Sequence, residues 1–187
     1  MKFPKPGKKK LLLEKFGKRV SSQQFIMPDG ASLDYIFFQV ANPVMVFPVT
    51  EEGHVVALKQ FRFGANAVVI EVPGGNPSKK GETDEATAVK ELAEETGYVC
   101  KKLIKLNNNI WFEPANYRCH YSSFLALGCK REEKQKLDDS ELVEVFEVPL
   151  KEWVAMITNG EITDLKTIAT TFFALPHLGY SVSKIEG

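Results

Sequence analysis

Little in this chain offers a soft metal site. Its 187 residues include three cysteines, Cys100, Cys119 and Cys129, and no CxxC spacing. An odd count without a pairing pattern predicts free thiols in a reducing, cytoplasmic setting, not a disulfide framework. The three histidines, His54, His120 and His177, are scattered singly, which argues against a zinc cluster. Long apolar runs are missing too. No stretch approaches the roughly 18 residues that a membrane helix needs. The Leu-Leu-Leu at 11–13 is too short for the apolar core of a signal peptide. Net charge is also absent: 24 basic residues balance 24 acidic ones. No global field therefore draws the chain to nucleic acid or to an anionic membrane. The one local excess is the N-terminal MKFPKPGKKK with its five lysines, which reads as a solvated, partly frayed tail.

What is present is ordinary globular material, 44% hydrophobic and 26% charged. A chain of this length buries roughly 70% of its unfolded surface, enough for a real core. Strand signals come first. FIMPDGASLDYIFFQV reads as two strands, 25–27 and 33–40, around a Pro-Asp-Gly turn. VMVFPVTEEGHVVALKQFRF is a hairpin pattern, and AVVIEVPGG a strand ending in Pro-Gly-Gly. Then the period changes. Ala86, Val89, Leu92, Ala93 and Thr96 recur at helical spacing, with Thr83 or Asp84 as cap and Gly97 as stop. Val89, Leu92 and Ala93 are expected to face a core. Further strands follow in VCKKLIKL, IWFEPANYRCHYSSFLALG and LVEVFEVPL. Two helices close the chain, one starting at Pro149-Leu150 and one at a Thr-Asp cap, the latter stopping near Pro176. Strands mixed with separate helices predict an α+β fold, a three-layer α/β/α sandwich. Residues 1–45 stand apart as an arm with strands, and 46–187 form the main domain.

The helix carries a puzzle in KELAEETG. Glu91, Glu94 and Glu95 fall within about 100° of arc. Glu91–Glu94 and Glu91–Glu95 are like-charged neighbours, each costing roughly 0.2–0.5 kcal/mol. Glu94 and Glu95 also sit at the helix end that disfavours anions. A divalent cation would offset this, and clustered carboxylates with a phosphate ligand suit Mg²⁺. The Gly- and Pro-rich loop just upstream, VPGGNPSKKGE, can bring a bare carbonyl to such an ion. From these residues alone, a metal site and a solvated acidic face both remain open.

The segment GGNPSKKGETDEATAVKELAEETGY resembles the Nudix box. That pattern is Gly, five residues, Glu, seven residues, Arg-Glu, a hydrophobic, any residue, Glu-Glu, any residue, Gly, a hydrophobic. Here Glu82, seven residues and Lys90-Glu91-Leu92-Ala93-Glu94-Glu95-Thr96-Gly97-Tyr98 follow it. Lys90 stands where the family has Arg, and six residues separate Gly75 from Glu82. The resemblance implies a Mg²⁺ site, with Mn²⁺ as a possible substitute. Glu91 and Glu95 are its principal ligands, with the Gly74 carbonyl and Glu94 added. Glu82 orients or joins the site. Lys90 orients the neighbouring glutamates, without the planar fork of an arginine. The extra loop residue is expected to shift the Gly74 carbonyl.

The likeness runs on from about 35 to 175 and is similar to the ADP-ribose and nucleoside-diphosphate-sugar branch. Its marks are Gln60-Phe61-Arg62, Glu71-Val72-Pro73-Gly74-Gly75 and the downstream DDSELVEVFEVPLKEW. It implies that Arg62 grips a phosphate or a sugar-side oxygen, and that Glu71 contacts substrate or metal. Arg62 also reads as a plain surface arginine, and Glu71 as a plain strand-end carboxylate. In that branch a mobile acidic loop delivers the general base. Asp138, Asp139, Glu141 and Glu144 are on offer here, Glu141 in the best-matching place and Asp139 second. Among the aromatics Phe25, Tyr35, Phe37, Phe38 and Phe112, which also read as core, Phe37 and Phe112 are the candidates to stack a nucleobase. N-terminal strands in that branch complete a partner's pocket, so a homodimer is expected. The loop WFEPANYR departs from the branch's Ser-Pro-Gly at Glu113-Pro114-Ala115. The implied activity is Mg²⁺-dependent hydrolysis of a nucleoside diphosphate sugar, ADP-ribose foremost, to a nucleoside monophosphate and a sugar phosphate. Alternatives are GDP-mannose, (d)NTP or capped-RNA hydrolysis, and a sensor that binds ADP-ribose without cutting it.

Overall fold

A computed structural model describes residues 1–137 and 141–180. The chain divides into two compact units, 1–42 with 109–121, and 43–108 with 122–187.

The first unit is built on an antiparallel three-stranded sheet, β1 (Lys5–Lys15), β2 (Lys18–Ile26) and β3 (Ser32–Gln39). Its first strand corrects the expectation of a frayed tail. Phe16 and Gly17 both have positive φ, 52° and 70°, and join Lys15 to Lys18 as the tight mirror-image turn that suits a hairpin. All of β1 is exposed, so the lysines are solvated, but on a paired strand. The expected Pro-Asp-Gly turn joins β2 to β3, closed by the Gly30 N–H on the Met27 carbonyl at 2.9 Å. The aromatics pack on one another. Phe25 lies 5.9 Å from both Tyr35 and Phe37, and Phe38 stacks on Tyr117 at 5.2 Å.

The second unit holds most of a seven-stranded sheet, of which residues 109–111 and 120–121 belong to the first unit. Its strands are β4 (Val44–Thr50), β5 (His54–Arg62), β6 (Ala67–Glu71), β7 (Tyr98–Val99), β8 (Lys102–Trp111), β9 (His120–Arg131) and β10 (Val143–Pro149). The order is β10-β5-β4-β9-β7, with β6 added to β5 and β8 to β9. The central β4 reads VMVFPVT and is buried throughout, as a strand covered on both faces must be. On one face lies α1 (Asp84–Thr96), whose Ala88 and Leu92 pack with Val44, Val46, Val56, Tyr98, Phe124 and Ala126. On the other lie α2 (Leu150–Thr158) and α3 (Leu165–Ala174), followed by a 3-10 turn at Leu175–Leu178. Trp153 of α2 packs its ring 6.2 Å from Phe47, and its indole N–H donates to Thr171 Oγ1 of α3 at 3.0 Å. This is the expected three-layer α/β/α arrangement.

One packing expectation fails. Val89 is 48% exposed. The inward arc of α1 centres on Ala88, Leu92 and Glu95, and Val89 lies 100° round from Ala88. The helix therefore buries one of its glutamates and exposes a valine.

Candidate active site

After β6, the chain stays extended beside β4. The Val46 and Val44 N–H groups donate to the Pro73 and Gly75 carbonyls, each at 2.9 Å. In extended chain, successive residues point their polar groups to opposite sides. Gly74 therefore turns away from β4, and its N–H donates to Glu95 Oε2 at 2.8 Å. At Gly75 a Cβ would overlap the Glu91 carboxylate, which would have to move aside, and at Gly74 one would meet the Val44 carbonyl of the backbone, so Gly74 is the position that the close approach to β4 reserves for glycine.

The caps of α1 are those read from the sequence. Thr83 Oγ1 accepts from the Ala86 N–H at 3.2 Å, and Gly97 closes the helix at φ 76°. Glu82 serves the loop before the helix. Its carboxylate accepts from the Ser78 and Lys79 N–H groups at 2.9 and 3.3 Å, and from Thr87 Oγ1 at 3.1 Å. Lys90 ties the same loop to α1. Its ammonium lies 2.9 Å from Glu91 and 3.7 Å from Glu82, and donates to the Asn76 carbonyl at 3.3 Å and to Ser78 Oγ. Thr87 and Ser78 were not singled out from the sequence. Hydroxyls five residues after and four before a glutamate carry no distinctive spacing.

Arg62 and Glu71 form a forked pair across β5 and β6. Arg62 Nε donates to both Glu71 oxygens, at 3.1 and 2.9 Å, and Nη2 donates to Oε2. The Glu71 side chain is 3% exposed and that of Arg62 41%, so the buried carboxylate holds a half-open guanidinium. The β10–β5 register pairs Val143 with Gln60, and the Phe61 N–H donates to the Leu142 carbonyl at 3.2 Å. Continued by two residues, that register sets Glu141 opposite Arg62. The charge of Glu141 acts on both Glu91 and Glu95, and that of Glu94 on Glu91. Arg62, Glu71, Gly74, Glu82, Lys90, Glu91, Glu94, Glu95 and Glu141 thus all belong to the second unit. Phe37 and Phe112 belong to the first, where Phe37 lies 4.1 Å beneath the Arg118 guanidinium and Phe112 meets Tyr117 edge-on. Asp138 and Asp139 lie outside the described residues. A cavity of about 410 Å³ beside β10 and α2, lined by residues including Lys59, Phe146, Glu152 and Met156, contains none of these groups.

Burial pushes the Glu95 carboxyl up to about 8; the Gly74 N–H opposes this, while Glu91 and Glu141 add to it. Burial also raises Glu91, with Lys90 opposing and Glu94 and Glu141 reinforcing. As the side chains lie, no three carboxylate, imidazole or thiolate groups among the described residues stand together as a finished metal cage. The donor set nevertheless fits a divalent cation. Glu91 and Glu95 are carboxylates whose charges act on each other, in spite of Lys90 beside Glu91, and with the backbone carbonyls of the adjoining loop they are hard oxygen donors. Metal-free protein has a corresponding pH signature. A carboxyl raised on folding contributes its stability at low pH and loses it as pH rises through the folded value. The metal-free protein should lose at least about 5 °C in Tm between pH 5 and pH 8.5, because about 1 kcal/mol moves Tm by about 2–4 °C at this size. Calorimetric scans check this, and the loss should shrink with excess Mg²⁺ and in Glu95→Gln.

The model of the NUDIX domain matches residues 39–170. The chain belongs to the Nudix family. It is a hydrolase acting on pyrophosphate bonds. Among Nudix relatives it is 37% identical over 142 residues to the ADP-ribose pyrophosphatase of Bacillus subtilis, covering 75% of this chain and 76% of that one. The methanol dehydrogenase activator of Bacillus methanolicus is 30% identical over 145 residues, 76% of each chain. A GDP-mannose pyrophosphatase of Yersinia pestis is 30% identical over 138 residues, 68% of this chain and 67% of that one. The crystal structure of an ADP compounds hydrolase superposes with a TM-score of 0.82 over 96% of both chains. At 16% identity it shares the fold. No helix among the described residues is long and apolar enough to cross a membrane.

Proposed function

We propose that this Nudix hydrolase cleaves the diphosphate of nucleoside diphosphate sugars, ADP-ribose foremost, to a nucleoside monophosphate and a sugar phosphate. The observation that carries this reading is the half-open Arg62, held by buried Glu71 in the unit that presents Glu91, Glu95 and Glu141. Likeness to the Bacillus subtilis enzyme supports the choice of sugar nucleotide. The metal is Mg²⁺, with Mn²⁺ able to substitute, held by Glu91, Glu95 and the Gly74 carbonyl, with Glu94 as a further ligand. When bound it supplies charge neutralisation at the diphosphate and a more acidic water.

The chain's own groups do the rest. Arg62 binds a phosphate oxygen, which a guanidinium does with two parallel donors. Glu71 keeps that guanidinium aimed. Glu141 accepts the proton of the attacking water. Lys90 and Glu82 fix the loop that carries the two glycines against α1. Phe37 and Phe112 are the candidates to stack a nucleobase. Residues 1–45 act as a dimerisation arm on the main domain, 46–187, so the working form is a homodimer. Three free cysteines suit a reducing, cytoplasmic setting.

A substrate panel with product chromatography tests this. ADP-ribose, other ADP-sugars, GDP-mannose, diadenosine polyphosphates and the common (d)NTPs are each incubated with protein and Mg²⁺. We expect the highest kcat/KM on ADP-ribose, with AMP and ribose 5-phosphate released. Best turnover of GDP-mannose would reassign the sugar nucleotide. Best turnover of a (d)NTP would reject the sugar-nucleotide reading. Tight ADP-ribose binding with no cleavage of anything would indicate a sensor.

A further inference from the structure

Phe37 is not an open platform. The Arg118 guanidinium carbon lies 4.1 Å from its ring centroid, so one face of the ring is covered. Tyr35 lies 6.3 Å away at 23° between planes, and Phe25 meets the ring edge-on at 5.9 Å. The cover is held at both ends. The Arg118 N–H donates to the Phe38 carbonyl, and the Phe38 N–H to the Asn116 carbonyl, each at 2.8 Å, which pins 116–118 along β3. At the far end of the side chain, Nη2 donates to Gln23 Oε1 on β2. Gln23 is buried, and its Nε2 donates to the Gly7 carbonyl of β1 at 3.3 Å. A carbonyl takes only the nitrogen end of an amide, so Gln23 turns its oxygen to Arg118. All of these residues belong to the first unit.

A guanidinium is planar and weakly hydrated, and it stacks on flat rings with either face. One side of the Arg118 guanidinium lies on Phe37, and the residue is only half-buried, so its other side is the surface left for a ligand. Among the described residues Gln23 is the hydrogen-bond acceptor that this guanidinium meets, and donors remain for acceptor atoms on the edge of a base. We propose that Arg118, rather than Phe37, is the group on which a nucleobase stacks, with the guanidinium between the base and the Phe37 ring. The ligand class is a purine nucleotide, whose flat, electron-rich base suits the face of a cation. Phe37 then acts through Arg118: the ring sets the plane, and Gln23 sets its rotation. This deepens the reading of the chain as a nucleotide-sugar hydrolase and rests on it for the substrate.

The test titrates the full-length protein with AMP by calorimetry, and with ribose 5-phosphate as the probe that lacks a base. Arg118→Lys keeps the charge and loses the plane. Gln23→Leu keeps the arginine and removes the acceptor that orients it. Arg118→Lys should weaken AMP binding about 5–100-fold, the worth of one stacked base. Gln23→Leu should weaken it about 2–5-fold, because the guanidinium is then free to turn. Ribose 5-phosphate should bind each variant within about twofold of the wild type. With ADP-ribose as substrate, KM should rise in step with the loss of AMP affinity, while kcat stays within about twofold. Wild-type AMP affinity in Arg118→Lys would overturn the proposal. So would equal losses of AMP and ribose 5-phosphate, which would make Arg118 a phosphate ligand, and so would a wild type that binds no AMP at millimolar concentration. If Arg118→Lys does not fold, Gln23→Leu decides alone, and unchanged AMP affinity there overturns the proposal. If the wild type cleaves no diphosphate substrate but binds AMP in this Arg118-dependent way, the functional reading fails and the base site stands.

Discussion

Glu95→Gln should be close to inactive and, without metal at pH 8, more stable than the wild type. The two effects share one cause. Glu95 is 3% exposed, and burial raises its carboxyl to about 8, so its ionised form is disfavoured in the empty site. Glutamine is the same size and keeps an oxygen for the Gly74 N–H, so the local packing survives. It removes the charge that burial opposes, and stability should rise at alkaline pH. The same change deletes a charged ligand, and hard divalent cations bind carboxylates far better than amides. We expect kcat to fall at least about 1,000-fold, part of the several kcal/mol that charge stabilisation contributes. Mg²⁺ affinity should fall at least about tenfold. Steady-state kinetics and titration calorimetry read the two losses, and a thermal scan in EDTA reads the gain. Stability opposed to function is the expected signature of a site built for an ion. Turnover within tenfold of the wild type would remove Glu95 from the metal site.

Glu141→Gln should separate proton transfer from binding. A positioned general base contributes about 10²–10⁴-fold, so kcat should drop by that range. KM and Mg²⁺ affinity should move only a few-fold, because Arg62, Glu91 and Glu95 remain. Unchanged turnover would transfer the role to another loop carboxylate, with Asp139 next to be replaced.

The helix that carries the site was legible because several signals agreed on it. The 3.6-residue period, the Thr83 cap and the Gly97 stop each mark the same span, Asp84–Thr96. The Nudix resemblance then gave its glutamates a reason. The hairpin around Glu51-Glu52-Gly53 and the buried run of β4 were legible for similar reasons, a long apolar pattern broken by a glycine turn. β1 was not. Lysine-rich chain has low strand preference, and Phe-Gly is an unusual pair for a tight hairpin turn, since a bulky residue rarely takes positive φ. The inward orientation of Glu95 was hidden because an acidic residue is read as a solvent-facing one until the sheet beneath it is known. Glu82 was expected to orient the site or join it. Its bonds run to Ser78, Lys79 and Thr87, contacts set by how the loop folds back.

Lys90 shows how a departure from a family pattern is absorbed. An arginine offers a planar fork, whereas an ammonium offers three separate donors. Here those donors meet Glu91, the Asn76 carbonyl and Ser78 Oγ, so one side chain ties the longer loop to α1.

The most direct test is to follow ADP-ribose with the purified full chain, titrating Mg²⁺ from zero and then adding EDTA. The expected result is stoichiometric AMP and ribose 5-phosphate, appearing with Mg²⁺ and stopping with the chelator. Cleavage that proceeds unchanged in EDTA, or no cleavage at any Mg²⁺ concentration, would contradict a diphosphate hydrolase built on the acidic face of α1.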